Sequence, residues 1–219
     1  VEKPVSKYIS IEGVIGAGKT TLARALSKHL KSNLILEAFE ENPFLKKFYE
    51  EPGRFAFQTQ LFFLTNRYTQ LRQFNNYNLF YDYLITDYSF DKDDIFARLT
   101  LSDDEYKIYR IVFQPLREKL STPDLVVYLQ STPERLMENI ARRNRPYEKL
   151  ITKRYIEDLN KAYNQFYASY KKSPLLIINV SNLDFVSNPE DFELIVSLIC
   201  NRKHNVGVEY FNPEKDLGY

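Results

Sequence analysis

Gly13-Val14-Ile15-Gly16-Ala17-Gly18-Lys19-Thr20 fits the pattern G-x-x-x-x-G-K-[ST] at every defined position. Residues 8–11 before it read as a short β-type run, and 20–30 after it carry Leu22, Ala25, Leu26 and Leu30 at helical spacing. A strand that breaks at a Gly-rich turn and continues as a helix is the context that gives this pattern meaning. Glycine opens backbone conformations closed to other residues, so successive N–H groups can point inward at one anion. The helix start aims its positive end at the same point. Lys19 adds a full charge for β- and γ-phosphates, and Thr20 offers a hydroxyl to Mg²⁺.

The remaining chain alternates between strand and helix. Residues 34–36, 84–86, 125–129 and 175–180 read as further strands. Helices are expected over 43–49, 52–74, 102–120, 132–142, 151–172 and 189–200, with Pro43 at the first position of one and Ser102 capping another. Five short apolar strands interleaved with helices make an α/β fold, a five-stranded parallel sheet covered on both faces. Ligands of such folds sit beyond the carboxyl ends of the strands. This selects the Gly13 loop, Glu37, Asp87 and the stretch after Val180. The loop residues, Thr21, and Asp184 with Phe185 are assigned to ATP. The tail 201–219 is polar and aperiodic and receives no role.

Composition bounds the rest. A chain of 219 residues, 44% hydrophobic and 27% charged, suits one globular domain over 1–219. A net charge of +1 provides no global field for nucleic acid or a membrane, and no apolar run is long enough to span a bilayer. Cys200 is the single cysteine, which excludes an internal disulfide framework and suits a reducing compartment. With no apolar leader in view, a cytoplasmic location is expected. The 17 Tyr and 16 Phe are either core filling or, in part, the walls of a pocket for a flat ligand.

A phosphate loop identifies nucleotide binding without fixing the reaction. A guanine-reading Asn-Lys-x-Asp segment is missing, and the third strand ends in one acid, Asp87, where helicase-like ATPases carry a pair. Beyond the loop, five spaced motifs accumulate. They are Ile11-Glu12-Gly13; Glu37; the run Tyr49-Glu50-Glu51-Pro52-Gly53-Arg54-Phe55-Ala56-Phe57 followed by Gln60 and Arg67; Asp87-Tyr88-Ser89; and Arg143-Asn144-Arg145-Pro146-Tyr147-Glu148. Together they resemble the deoxynucleoside kinases, P-loop enzymes with a short lid, over roughly residues 8–199.

The resemblance implies transfer of a phosphoryl group from ATP, with Mg²⁺, to the 5′-hydroxyl of a deoxyribonucleoside. Glu37 would accept the hydroxyl proton, and Lys19, Arg143 and Arg145 would balance charge on the transferring group, the arginines from a lid over 143–149. Thr20 and Asp87 would hold Mg²⁺, and Asp87 would also contact the nucleoside. Gln60 and Arg67, on one helical face, would read the base. Tyr49 and Glu148 would hold the sugar 3′-hydroxyl. Phe55, Phe62 and Phe63 are candidates for stacking. A homodimer is also implied, and the run 40–44 leans toward a purine substrate, deoxyadenosine or deoxyguanosine.

Two departures from the family pattern stand out. Its usual acid-Arg-Ser triplet is Asp87-Tyr88-Ser89 here, so the arginine beside the 5′-oxygen is missing. Asp91, Asp93 and Asp94 all remain open as the acid that pairs with Arg67. Asn144 replaces a lid glycine and should stiffen the lid. The rival readings are a thymidylate-like nucleoside monophosphate kinase and a non-catalytic nucleotide-binding subunit of the same fold. The first needs an extra basic residue for the acceptor phosphate. The second has no need of intact Lys19, Thr20, Glu37, Arg143 and Arg145.

Overall fold

β1 (Lys7–Gly13) lies between β3 (Tyr83–Thr86) and β4 (Leu125–Gln130), and all but its first residue is buried. β2 (Asn33–Ile35) borders β3, and β5 (Leu175–Asn179) borders β4. The computed structural model describes residues 7–74 and 81–216; residues 1–6, 75–80 and 217–219, including both ends of the expected domain, lie outside the described residues. Every strand pairing among the described residues is parallel, with Ile9 facing Ile85 on one side and Leu125 on the other. Strands buried on both faces explain why Leu125–Gln130 and Leu175–Asn179 read as continuous apolar runs.

The sheet holds one strand more than the five expected. Its order is β2-β3-β1-β4-β5-β6, where β6 (Val208–Phe211) comes from the tail that received no role. At the sheet edge it buries Phe211 and leaves Val208 and Tyr210 exposed, so it lacks the apolar run of the inner strands. A one-turn helix, Pro213–Asp216, follows it.

The helices begin where their capping residues lie. Ser102 forms a capping box with Glu105 at the start of α5 (Asp103–Arg117). Thr132 and Asn188 cap α6 (Pro133–Arg143) and α8 (Pro189–Cys200), each with proline next. Thr152 caps α7 (Lys153–Ala168), which ends before the expected 172. α1 (Lys19–Leu30) and α3 (Pro52–Phe74) occupy the expected spans. α2 (Leu45–Glu50) starts later than its proline suggested. Asn42 Oδ1 accepts from the Phe44 N–H at 3.0 Å, closing a turn around Pro43 ahead of the helix. α4 (Lys92–Thr100) was not anticipated at all, and it proves central to the site.

The main core packs helices against both faces of the sheet. Many of the aromatic residues belong to such packing: Tyr128 stacks on Tyr167 at 4.7 Å between ring centres, and Tyr163 lies against both. A smaller cluster holds Leu64, Tyr88, Tyr109 and Phe113.

Candidate active site

The carboxyl ends of β1, β2 and β3 meet at one cleft. Its phosphate end is the turn after β1. Gly16 and Gly18 take φ values of 91° and 90°, the left-handed region that favours glycine. A Cβ at Gly16 would lie 2.5 Å from the Leu136 carbonyl oxygen, so the loop also needs glycine to pass that close to α6. Asn139 on α6 fixes the turn by donating to the Gly16 carbonyl at 2.9 Å. Lys19 Nζ donates back to the Val14 carbonyl at 3.0 Å. Burial and the nearby charge of Lys92 pull the Lys19 pKa down to about 7, with Glu12, Glu37 and Asp87 opposing the fall.

Thr20 Oγ1 donates to Asp87 Oδ2, and the other oxygen of Asp87 accepts the Glu37 N–H at 2.8 Å. A hydroxyl and a carboxylate, both hard oxygen donors at the root of the phosphate loop, fit Mg²⁺ shared with phosphates. The two expected metal residues are therefore side by side.

The opposite end is built on Glu37, just after β2. Arg67 reaches one of its oxygens through Nε and NH2, and Lys92 Nζ donates to the other. Burial alone would raise the pKa of Glu37, but the charges of Arg67 and Lys92 outweigh it and hold the carboxyl well below its usual range. Arg67 NH1 pairs with Asp93 Oδ1, which settles the open choice of acid. Asp91 instead bonds Arg117 and Lys172, while Asp94 bonds Arg98, Tyr106 and Arg110.

Gln60 is buried in the cleft wall, whereas Gln58 is exposed. The ungapped count from Tyr49 thus selects the buried amide of the two. Its Nε2 donates to Thr100 Oγ1 at 3.2 Å, and its Oε1 has no hydrogen-bond partner among the described residues. Of the three candidate stacking rings, Phe63 lines the cleft and packs on the Arg67 guanidinium at 4.7 Å. Phe55 packs against Lys47 and Arg54 instead, and Phe62 is not part of the lining. Tyr147 of the lid also lines the cleft, and Phe39, Phe48, Phe96 and Tyr155, which no sequence motif marks, complete the aromatic wall.

Tyr49 and Glu148 both face the cleft. Glu148 is buried and gathers both lid arginines, accepting from Arg143 Nε at 2.6 Å and from Arg145 NH1 at 3.5 Å. Arg143 ends α6, Asn144 follows at φ 48°, and Arg145 lies over the Phe39 ring at 4.5 Å. Asparagine tolerates that left-handed angle, so the turn a glycine would make is retained.

Behind the loop a second cleft is bordered by Gly16, Ala17, Gly18, Thr21, Asp184 and Phe185. The Phe185 ring packs so close to Gly18 that a Cβ there would meet it at 2.7 Å. Arg143 lines both clefts, while Ile15, Lys19 and Thr20 line the first. Gly13 and Val14 sit in the buried root of the loop, where a Cβ on Gly13 would meet Ala17 and Leu129 at 2.9 Å. Apart from the stacking candidates Phe55 and Phe62, the expected site residues thus fall in one contiguous region. Lys92 is the charged lining residue that no sequence motif marks. Its only sequence signals were acids beside it, Asp91, Asp93 and Asp94, opening a short amphipathic run.

A phosphate loop on β1, a carboxylate across the cleft and arginines over both define a phosphotransferase of the P-loop class. The family model for deoxynucleoside kinase matches residues 9–204. The chain belongs to the deoxynucleoside kinase family, whose members phosphorylate deoxynucleosides. It is 36% identical to deoxyguanosine kinase of Bacillus subtilis over 87% of this chain and 94% of that one. It is 34% identical to deoxyadenosine kinase of Dictyostelium discoideum, over 86% of this chain and 77% of the relative. A solved deoxyadenosine kinase from M. mycoides, with the products dCMP and dCDP bound, superimposes with a TM-score of 0.78 at 30% identity. That match covers 89% of this chain and all of the other. Among the described residues, no helix is long and apolar enough to cross a membrane.

Proposed function

We propose that the protein transfers the γ-phosphoryl group of ATP to the 5′-hydroxyl of a purine deoxyribonucleoside, deoxyadenosine or deoxyguanosine. The carrying observation is that Lys19 and Thr20, Glu37, Gln60 and Arg67, and the lid arginines all line one cleft. Gln60 offers a buried acceptor to a base edge, and Tyr49 with Glu148 meets the sugar. Glu37 orients the hydroxyl and takes its proton as the bond to phosphorus forms. Lys19, Arg143 and Arg145 balance the charge on the transferring group. Thr20 and Asp87 would hold Mg²⁺, which supplies further charge at the phosphates when bound.

The purine preference draws on the relatives named above, deoxyguanosine and deoxyadenosine kinases. Incubation of the four deoxynucleosides with radiolabelled ATP tests it. Labelled purine monophosphates are expected first; labelling of a monophosphate acceptor alone would restore the monophosphate-kinase reading. A homodimer is part of this reading, supported by Ile108, Ile111 and Val112, which form an exposed apolar stripe on α5. Light scattering at micromolar concentration should return twice the monomer mass. A cytosolic setting, supported by the single Cys200, is tested by imaging a fluorescent fusion.

A further inference from the structure

Position 88 carries no charge into the cleft. The Tyr88 ring is fully buried in the smaller core cluster, and its hydroxyl donates to Gln70 Oε1 at 2.8 Å, on α3. Lys92, the first residue of α4, does line the cleft, with only 5% of its surface exposed. Its ammonium has three N–H donors. Glu37 Oε2 takes one, and among the described residues Nζ makes no other hydrogen bond. The Phe96 ring lies 5.6 Å from the charge and offers no hydrogen-bond acceptor lone pair. A buried ammonium with unfilled donors is costly unless an oxygen ligand completes it.

The charges around it form one chain, Asp93–Arg67–Glu37–Lys92. Arg67 divides its charge between Glu37 and a second buried acid, Asp93, whereas among the described residues Lys92 has its one salt bridge to Glu37. We propose that Lys92 is a catalytic residue whose ammonium holds Glu37 toward the acceptor hydroxyl and then binds the phosphoryl group as it arrives. This rests on the phosphoryl transfer described above. In that step the 5′-oxygen forms its bond to phosphorus, and the bond from phosphorus to the ADP oxygen breaks with its electron pair leaving on ADP. The hydroxyl proton passes to Glu37. Glu37 thereby loses its charge while the new ester brings phosphate oxygens within reach, and Lys92 exchanges one anionic partner for another. The ligand chemistry is that of a nucleoside 5′-monophosphate, held by Lys92 in the product state.

The test compares the native protein with Lys92→Met and Lys92→Arg, each first shown by thermal melting to be folded. Calorimetric titration with deoxyguanosine and with its 5′-monophosphate is the readout that a merely structural lysine would not move. Lys92→Met should weaken monophosphate binding by about 10-fold or more, as one charged hydrogen bond is lost. Deoxyguanosine binding should change much less. The kcat should fall by about 100-fold or more with KM for ATP nearly unchanged, and Lys92→Arg should recover most of both losses. Equal weakening of nucleoside and monophosphate, or an undiminished kcat, overturns the assignment. If Lys92→Met does not fold, Lys92→Gln carries the same readouts. A native protein that phosphorylates no deoxynucleoside would defeat the proposed function itself; an active native protein with an equally active variant defeats only the role of Lys92.

Discussion

Thr100 Oγ1 donates its proton to the Phe96 carbonyl at 2.7 Å and accepts from Gln60 Nε2 at 3.2 Å. Because that proton is committed, the threonine can only accept from the amide, which fixes Nε2 toward Thr100 and leaves Oε1 without a protein partner. With Oε1 on the base edge, as proposed above, loss of the amide would leave that edge unsatisfied, at a cost of about 1–3 kcal/mol. Gln60→Ala should therefore raise KM for each accepted deoxynucleoside by about 5-fold to 150-fold and leave KM for ATP nearly unchanged. Thr100→Val should act in the same direction and more weakly, while exposed Gln58→Ala should do little. Steady-state kinetics with both substrates varied checks this ranking. A larger loss from Gln58→Ala would place the base elsewhere.

Lys19→Ala removes the charge next to the phosphates while the glycines that shape the loop remain. Turnover should fall by about 100-fold or more, with thermal stability close to native. Single-turnover assays under saturating ATP separate lost chemistry from lost binding. Near-native transfer would show that the loop's backbone alone is sufficient.

Glu37→Gln keeps the size of the side chain but cannot take a proton, and it weakens the hold of Arg67 and Lys92. The expected result is a fall in kcat of about 100-fold or more, with a much smaller change in deoxynucleoside affinity. Kinetics paired with direct binding measurements distinguish the two. A loss confined to affinity would make Glu37 a binding residue.

Asp93→Asn leaves Arg67 buried with Glu37 alone, and Glu37 is already shared with Lys92. Breaking a buried pair on one side costs about 3–5 kcal/mol, which denaturant unfolding would read directly. Lys107→Ala, whose exposed pair with Asp104 is worth little, is the comparison. Equal stability of the two variants would mean that Arg67 finds another partner.

The phosphate loop, the caps and the inner strands were legible in the chain because their causes are local. Glycines at set intervals, a serine or threonine ahead of a helix, and apolar runs all act within a few residues of themselves. Resemblance carried Gln60, Glu148 and the lid further than periodicity could. β6 escaped because an edge strand needs only one buried face, and Phe211 alone supplies most of it. α4 escaped because nine residues make too short a period to stand out beside a cluster of acids.

What the sequence by itself determined was therefore the phosphate site and the class of fold, both set by short-range backbone and packing preferences. The tertiary structure decided which charges meet. Asp91, Asp93 and Asp94 lie within one turn or so of each other, yet the start of α4 turns them to three different sets of cations. Lys92 reaches Glu37 only because β2 and β3 are neighbours in the sheet and end at the same edge. Pairing across such distances along the chain is fixed by strand order and helix rotation, and those are properties of the whole packed molecule.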